Sequence, residues 1–267
     1  QDPIVGSFEE KIQPVLSILE SRQSNYIPFL VFIDPFGVKG FSLKTIRRIL
    51  GLGGAEVFLL LDVDGVDRLL MSWDEPCRKI LREASGFSEM EMEPIRVMAN
   101  QRDRITAFRA KYYGSIETGN VAKMVLPFRM FDSSGSPLHD LVFLTNNELG
   151  FVKMKESMWQ AASAGDFRFS ESDLPDQLPL GFETPADSIW KRMVGKFSGQ
   201  RVGGLQVRRF VELATIYLNK HKTEALRKHE SESVPTGERI AVLGRKGKGP
   251  KGYPDDVTIT FPQGTQS

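Results

Sequence analysis

One cysteine, Cys77, stands in the whole 267-residue chain. A disulfide framework needs pairs, and a cysteine-based zinc or iron–sulfur site needs several thiolates at short spacing, so all of these are excluded. Histidine is almost as scarce. His139 stands alone, while His221 and His229 are eight apart on a polar helical stretch, which makes no metal site. Solvated side chains are the expectation for all three. No run approaches the roughly 18 uncharged apolar residues that a membrane helix needs, and the opening QDPIVGSFEE lacks a signal-peptide layout. A reducing cytoplasm is the expected location, with no membrane partner. No serine elbow and no internal repeat is present.

The composition is otherwise that of a folded globular chain, 40% hydrophobic and 26% charged. Its net charge of +1 hides an asymmetry. Arg201 to Gly252 holds twelve Lys/Arg against five Asp/Glu, and the remainder is acidic. A bias confined to one segment speaks of that segment's partner.

Along the chain, SFEEKIQPVLSILES opens with Ser7 and Glu10 at capping-box spacing. Phe8, Ile12, Leu16 and Leu19 then share a helical face, with Pro14 as a possible kink. FLVFI and EVFLLL are apolar at every position, the pattern of strands covered on both faces. SLKTIRRIL between them reads as a crossover helix capped by Ser42. This rhythm predicts an α/β sheet. Residues 74 to 118 read as charged helices, an insertion lying on top of the sheet. VAKMVLPFRMF and HDLVFLTNN flank the turn-rich DSSGSPL and predict a hairpin. GFVKMKESMWQAA predicts a helix whose Phe151, Met154, Met158 and Ala162 form a core stripe.

The expected division is an α/β domain over 1–165, a linker over 166–187 rich in Pro, Gly, Ser and acids, and a basic module over 188–262. In that module SIWKRMVGKF, VRRFVELAT and LNKHKTEALRKHE are helical. RIAVL and DVTITF are strands enclosing GRKGKGPKGYP. Helices followed by a two-stranded ribbon with a basic Gly-rich tip is the order of a winged helix.

FIDPFGVKG, EVFLLLDVDGVDRLL and FLTNNELGFVKMKESMW, in that order, resemble the three-Cys-motif partner proteins, known as TcmP. The basic tail YLNKHKTEALRKHE, RIAVL and YPDDVTITF is similar to that family's C-terminal module. The resemblance implies an S-adenosylmethionine-dependent methyltransferase type of Rossmann sheet ending in an antiparallel hairpin. Phe29–Ile33 stands as its fourth strand, Glu56–Leu61 as its fifth, and Val121–Phe131 with Leu141–Thr145 as the hairpin. It also implies S-adenosylmethionine as cofactor and a protein carrying a three-cysteine motif as partner. The family's aromatic-Ala-Gly-Pro-Gly type turn, which lets backbone approach the cofactor, is not found in this sequence, nor is the acid that follows it. The expectation is an N-terminally incomplete member, holding half of a cofactor site.

Asp34-Pro35-Phe36-Gly37 follows a buried strand, where ligands of open α/β sheets bind. The resemblance implies a relation to the Asp/Asn-Pro-Pro-aromatic motif of amino-methylating nucleic-acid enzymes, whose acid accepts from the exocyclic amine of a flipped base. Phe36 replaces the second proline and Gly37 the aromatic. Asp34, Pro35 and Phe36 are the candidate catalytic set; the competing reading is a tight turn with Asp34 capping backbone donors. Asp62 and Asp64 could serve acid–base work or ordinary turn chemistry, and Asn146 and Asn147 could line a rim or cap a helix. Lys220, Lys222, Thr223, Arg227 and Lys228 on the last helix, with Arg245, Lys246, Lys248 and Lys251 on the wing, are the expected nucleic-acid contacts. About five neutralised phosphates give a log–log salt slope of about −4.5. Two functions remain open: a methyltransferase-like protein acting on or recruited to nucleic acid, or a non-catalytic adaptor joining nucleic acid to the cysteine-motif partner.

Overall fold

Five apolar residues, Phe29–Ile33, form strand β1, and Ala55–Asp62 forms β2 beside it in parallel, Phe29 opposite Ala55 and Ile33 opposite Leu59. In the computed structural model, residues 5–21, 28–35, 38–162, 167–170, 183–231, 233–245 and 252–263 are described. Helix α1 (Phe8–Ser21) runs unbroken through Pro14 and packs on the crossover helix α2 (Leu43–Leu50). Ser42 caps α2, its hydroxyl accepting from the Thr45 amide at 3.2 Å. Arg48 on α2 donates to both carboxylate oxygens of Glu20 at 2.6 Å, and burial of Leu16, Ile46 and Ile49 supplies the apolar part of the contact.

The expected hairpin is present as β3 (Met124–Phe131) and β4 (Pro137–Thr145), antiparallel. At its turn, one Asp132 oxygen accepts the Ser134 and Ser136 amides at 2.8 Å each. β4 also pairs antiparallel with β2, so it lies between β2 and β3. A short strand β5 (Arg168–Ser170) adds parallel to β3. The first sheet is thus mixed, in the order β1-β2-β4-β3-β5.

Residues 74 to 118 are helical, as α4 (Glu75–Ser85), α5 (Glu89–Arg96) and α6 (Gln101–Thr118), after α3 (Val63–Met71). They pack against the sheet and share its core. Leu81, Phe87, Met92, Ile95, Phe108 and Tyr112 share one core with Val57 and Leu59 of β2. Several of their charges are interior. Arg104 forks onto Asp67 at 2.6 and 3.0 Å, and Arg109 onto Asp140 at 2.7 and 2.5 Å, each pair buried. Paired in this way, an arginine can occupy a core-facing position.

The chain separates into two compact units, residues 1–154 with 168–173 and residues 155–167 with 174–267. The boundary falls within helix α7 (Glu148–Ala161), and the segment expected as linker contains β5 and ends at α8 (Pro185–Phe197). In the expected stripe of α7, Phe151 and Met158 are buried while Met154 and Ala162 are half-buried. The second unit continues through β6 (Arg201–Gly203), α9 (Gly204–Ala214), α10 (Asn219–Glu230), β7 (Ala241–Leu243) and β8 (Thr258–Thr260). Its three strands form an antiparallel sheet in the order β6-β8-β7 around Ile189, Phe197, Val207, Val211, Leu226 and Ile259. Gly204 is obligatory there: a Cβ would stand 2.2 Å from the Pro254 carbonyl oxygen.

Candidate functional site

Where β1 ends, Asp34 is exposed and Pro35 half-buried, while Phe36 lies outside the described residues. Among the described residues nothing donates to the Asp34 carboxylate. β1 is the edge of its sheet, and Leu30 and Phe32 on it are 54% and 57% exposed. Asp62, at the end of β2, differs sharply. It is the N-cap of α3, accepting from the Gly65 amide at 2.8 Å, and lies 3.6 Å from Arg68. Asp64 accepts from Gln101 at 3.0 Å. The acid–base reading of this pair yields to capping and surface pairing.

Asn146 and Asn147 lie on the opposite rim. Because β4 runs against β2, Thr145 sits opposite Glu56 at the amino end of the parallel strands. The Asn146 side chain accepts from the Lys123 amide at 2.8 Å and donates to the Leu50 carbonyl at 3.1 Å. Asn147 accepts from the Leu149 and Gly150 amides at 2.9 and 3.2 Å, capping α7. Both line a cavity of about 640 Å³ together with Leu30, Leu50, Glu56 and Glu148. Sequence reasoning missed this cavity; its one signal was the Gly53-Gly54 turn that lets β2 start beside α2.

The expected nucleic-acid contacts scatter. Lys220, Arg227 and Lys228 are exposed on α10, and Lys228 reaches Asp187 at 2.5 Å. Thr223 is half-buried and donates to the Asn219 carbonyl at 3.0 Å. Lys222 is a correction: it is 2% exposed, packed inside the unit where no phosphate reaches it. Burial pushes its ammonium down in pKa, against the opposing charges of Glu212 and Asp255. Arg245 is forked onto Glu230 at 2.6 and 2.7 Å. Lys246, Lys248 and Lys251 lie outside the described residues.

Two histidines are also corrected. His221 is buried, its Nδ1 accepting from the Leu218 amide at 3.2 Å and its ring centroid 4.7 Å from that of Trp159. Burial, aided by the charges of Lys220 and Lys155, pushes its pKa down to about 4. His229 is buried and stacked on Trp190 at 3.6 Å; His139 is half-buried. The polar helix concealed both because their partners lie far off in sequence. Also unforeseen was Lys155, fully buried and donating to the carbonyls of Val211, Glu212 and Thr215 at 3.1, 2.6 and 3.0 Å. An ammonium at the end of α9 satisfies carbonyls the helix leaves open, though burial lowers its pKa to about 8. Trp159, one turn on, donates to the Ile216 carbonyl at 2.6 Å.

Among the described residues no group of three or more His, Cys, Asp or Glu could hold a metal, and no helix is long and apolar enough to cross a membrane. No protein-family model, curated protein or solved structure matches the chain.

Proposed function

We propose that this is a methyltransferase-like protein of the three-Cys-motif partner type, recruited to nucleic acid by its basic C-terminal unit. The observation that carries the reading is the mixed sheet: two parallel strands closed by an antiparallel hairpin, with an exposed carboxylate, Asp34, where β1 ends. That is the arrangement the family resemblance implies for the end of a methyltransferase sheet. The helix–strand–helix–helix–strand–strand order from α8 to β8 supports a winged helix. In this reading Asp34 accepts a hydrogen bond from the exocyclic amine of a base, and α10 with its wing supplies affinity.

The described residues do not by themselves fit S-adenosylmethionine. Among the described residues the sheet continues from β1 on the β2 side alone, and no glycine-rich turn of the cofactor type occurs in the sequence. No transfer step is therefore derived. The same observation favours a second reading, an adaptor that binds nucleic acid and a cysteine-motif protein without catalysis.

Two titrations test these readings. Lys222 is buried and Arg245 and Lys228 pair with carboxylates, so the reading requires the other expected cations to supply about five phosphate contacts. Fluorescence anisotropy with duplex DNA should then give a log–log salt slope of about −4.5. Binding that ignores salt, or no binding to DNA or RNA by a folded sample, overturns recruitment. Calorimetry with S-adenosylmethionine separates the rest: heat on mixing favours the methyltransferase, and silence with DNA binding intact favours the adaptor.

A further inference from the structure

Helix α5 is apolar on two opposite sides. Met92 and Ile95 face the core, while Met90, Pro94 and Val97, spaced four and then three residues apart, form an exposed stripe. Met90 is 83% and Val97 70% exposed. Beside the stripe stands the segment that ends α3, with Met71 45% and Trp73 80% exposed. Two arginines tie that segment to the helices that follow. Arg96 of α5 donates to the Leu70 carbonyl at 2.8 Å. Arg78 of α4 donates to the Ser72 carbonyl at 3.3 Å and lies 3.8 Å from Glu89. Its guanidinium carbon also stands 5.0 Å from the centre of the Trp73 ring, supporting an indole that solvent reaches. The charges around these residues cancel in place. Glu89 meets Arg82 at 2.7 Å and Arg96 at 3.0 Å, and Glu75 pairs with Arg82. Glu93 meets Arg96 at 2.7 Å, and Glu91 meets Lys111 at 3.2 Å. Four cations thus face four carboxylates.

We infer that this face of the first unit is the interface of a homodimer, covered by the same face of a second copy of the chain. The inference is independent of the nucleic-acid reading. Charge favours a copy over a partner of one charge sign: a neutral rim offers such a partner no steering field, and it meets its own image without net repulsion. The area also fits. At 80% exposure the indole presents on the order of 200 Å², and the other four residues raise the apolar area to roughly 500 Å². A stable interface takes about 800 Å² from each partner, about 65% of it apolar between identical subunits. An isologous contact sets one patch against itself. With the two α5 helices antiparallel, Met90 of one copy meets Val97 of the other. Trp73, backed by Arg78, is the anchor, because an arginine-supported aromatic is the usual centre of binding energy.

The test is sedimentation equilibrium of the whole chain across micromolar concentrations, on wild type and the variants W73A, M90E/V97E and F32E, each checked for folding by circular dichroism. Wild type should pass from the mass of one chain to that of two as concentration rises. W73A should weaken the dimer by about thirtyfold, the loss of one anchor. M90E/V97E, which sets four carboxylates against one another across the twofold, should abolish it. F32E, on the open edge of β1, should leave the dissociation constant within about twofold of wild type, as expected of a residue outside the interface. Raising the salt should change wild-type association by no more than about threefold, since the rim is neutral. A wild-type chain that stays single at every concentration overturns the inference. So does a dimer that M90E/V97E leaves intact, that W73A does not weaken, or that high salt or F32E dissolves.

Discussion

At the scale of single residues, an exposed carboxylate, Asp34, and a buried imidazole, His221, stand in opposite surroundings. Asp34 stood out because an apolar run ending at an acid and a proline has few explanations, and it is exposed at the end of β1. His221 was illegible because its ring partner, Trp159, precedes it by some sixty residues. Its burial now carries a pH dependence. The folded-state pKa of about 4 lies below the ordinary 6.5, so the unfolded chain binds the proton more readily between those values. The contribution is therefore fully present above pH 6.5 and is lost as the pH falls through 4. Protonation at Nδ1 also removes the acceptor for the Leu218 amide. Urea midpoints of wild type should fall over this window more steeply than those of H221Q, whose amide oxygen can accept without titrating. Equal slopes would show that the imidazole is not the responsible group.

At the scale of elements, legibility followed length and pattern. β1 and β2 announced themselves as continuous apolar runs, and the hairpin by its turn composition. β5 and β6, three residues each, are too short to show any alternation. α6 was visible as a helix but its packing was not, since Arg104 and Arg109 share the buried side with Ile105, Phe108 and Tyr112. Each arginine found a carboxylate on another element, Asp67 on α3 and Asp140 on β4. The Asp140 site is the more consequential: Asp140 is fully buried and also accepts from Tyr113. D140N leaves the Arg109 charge buried without its counter-ion and should cost about 3–5 kcal/mol in urea denaturation. D140N/R109M, which removes both charges, should regain much of that. A double variant no better than the single would mean that the pair is not the source of the loss.

At the scale of the whole molecule, the composition shift near residue 200 marked a second unit, but contact geometry draws the line elsewhere. Lys155 and Trp159 group with the C-terminal unit through the end of α9 and the turn after it, which no periodicity in α7 discloses. Each unit has its own hydrophobic core, one built on β2, α2 and α3 to α6, the other on α8 to α10 and β8. Two cores of this kind predict two heat-absorption peaks in calorimetry rather than one, so a single unfolding free energy does not describe the chain. The assignments follow from the two preceding variants. D140N should lower one peak by many degrees and leave the other within a degree or two. Lowering the pH from 7 to 5 should shift the second peak in wild type more than in H221Q, because His221 belongs to the second core's helix. One peak that moves as a whole under both perturbations would mean that the two cores unfold together, and the division into independently stable units would have to be abandoned.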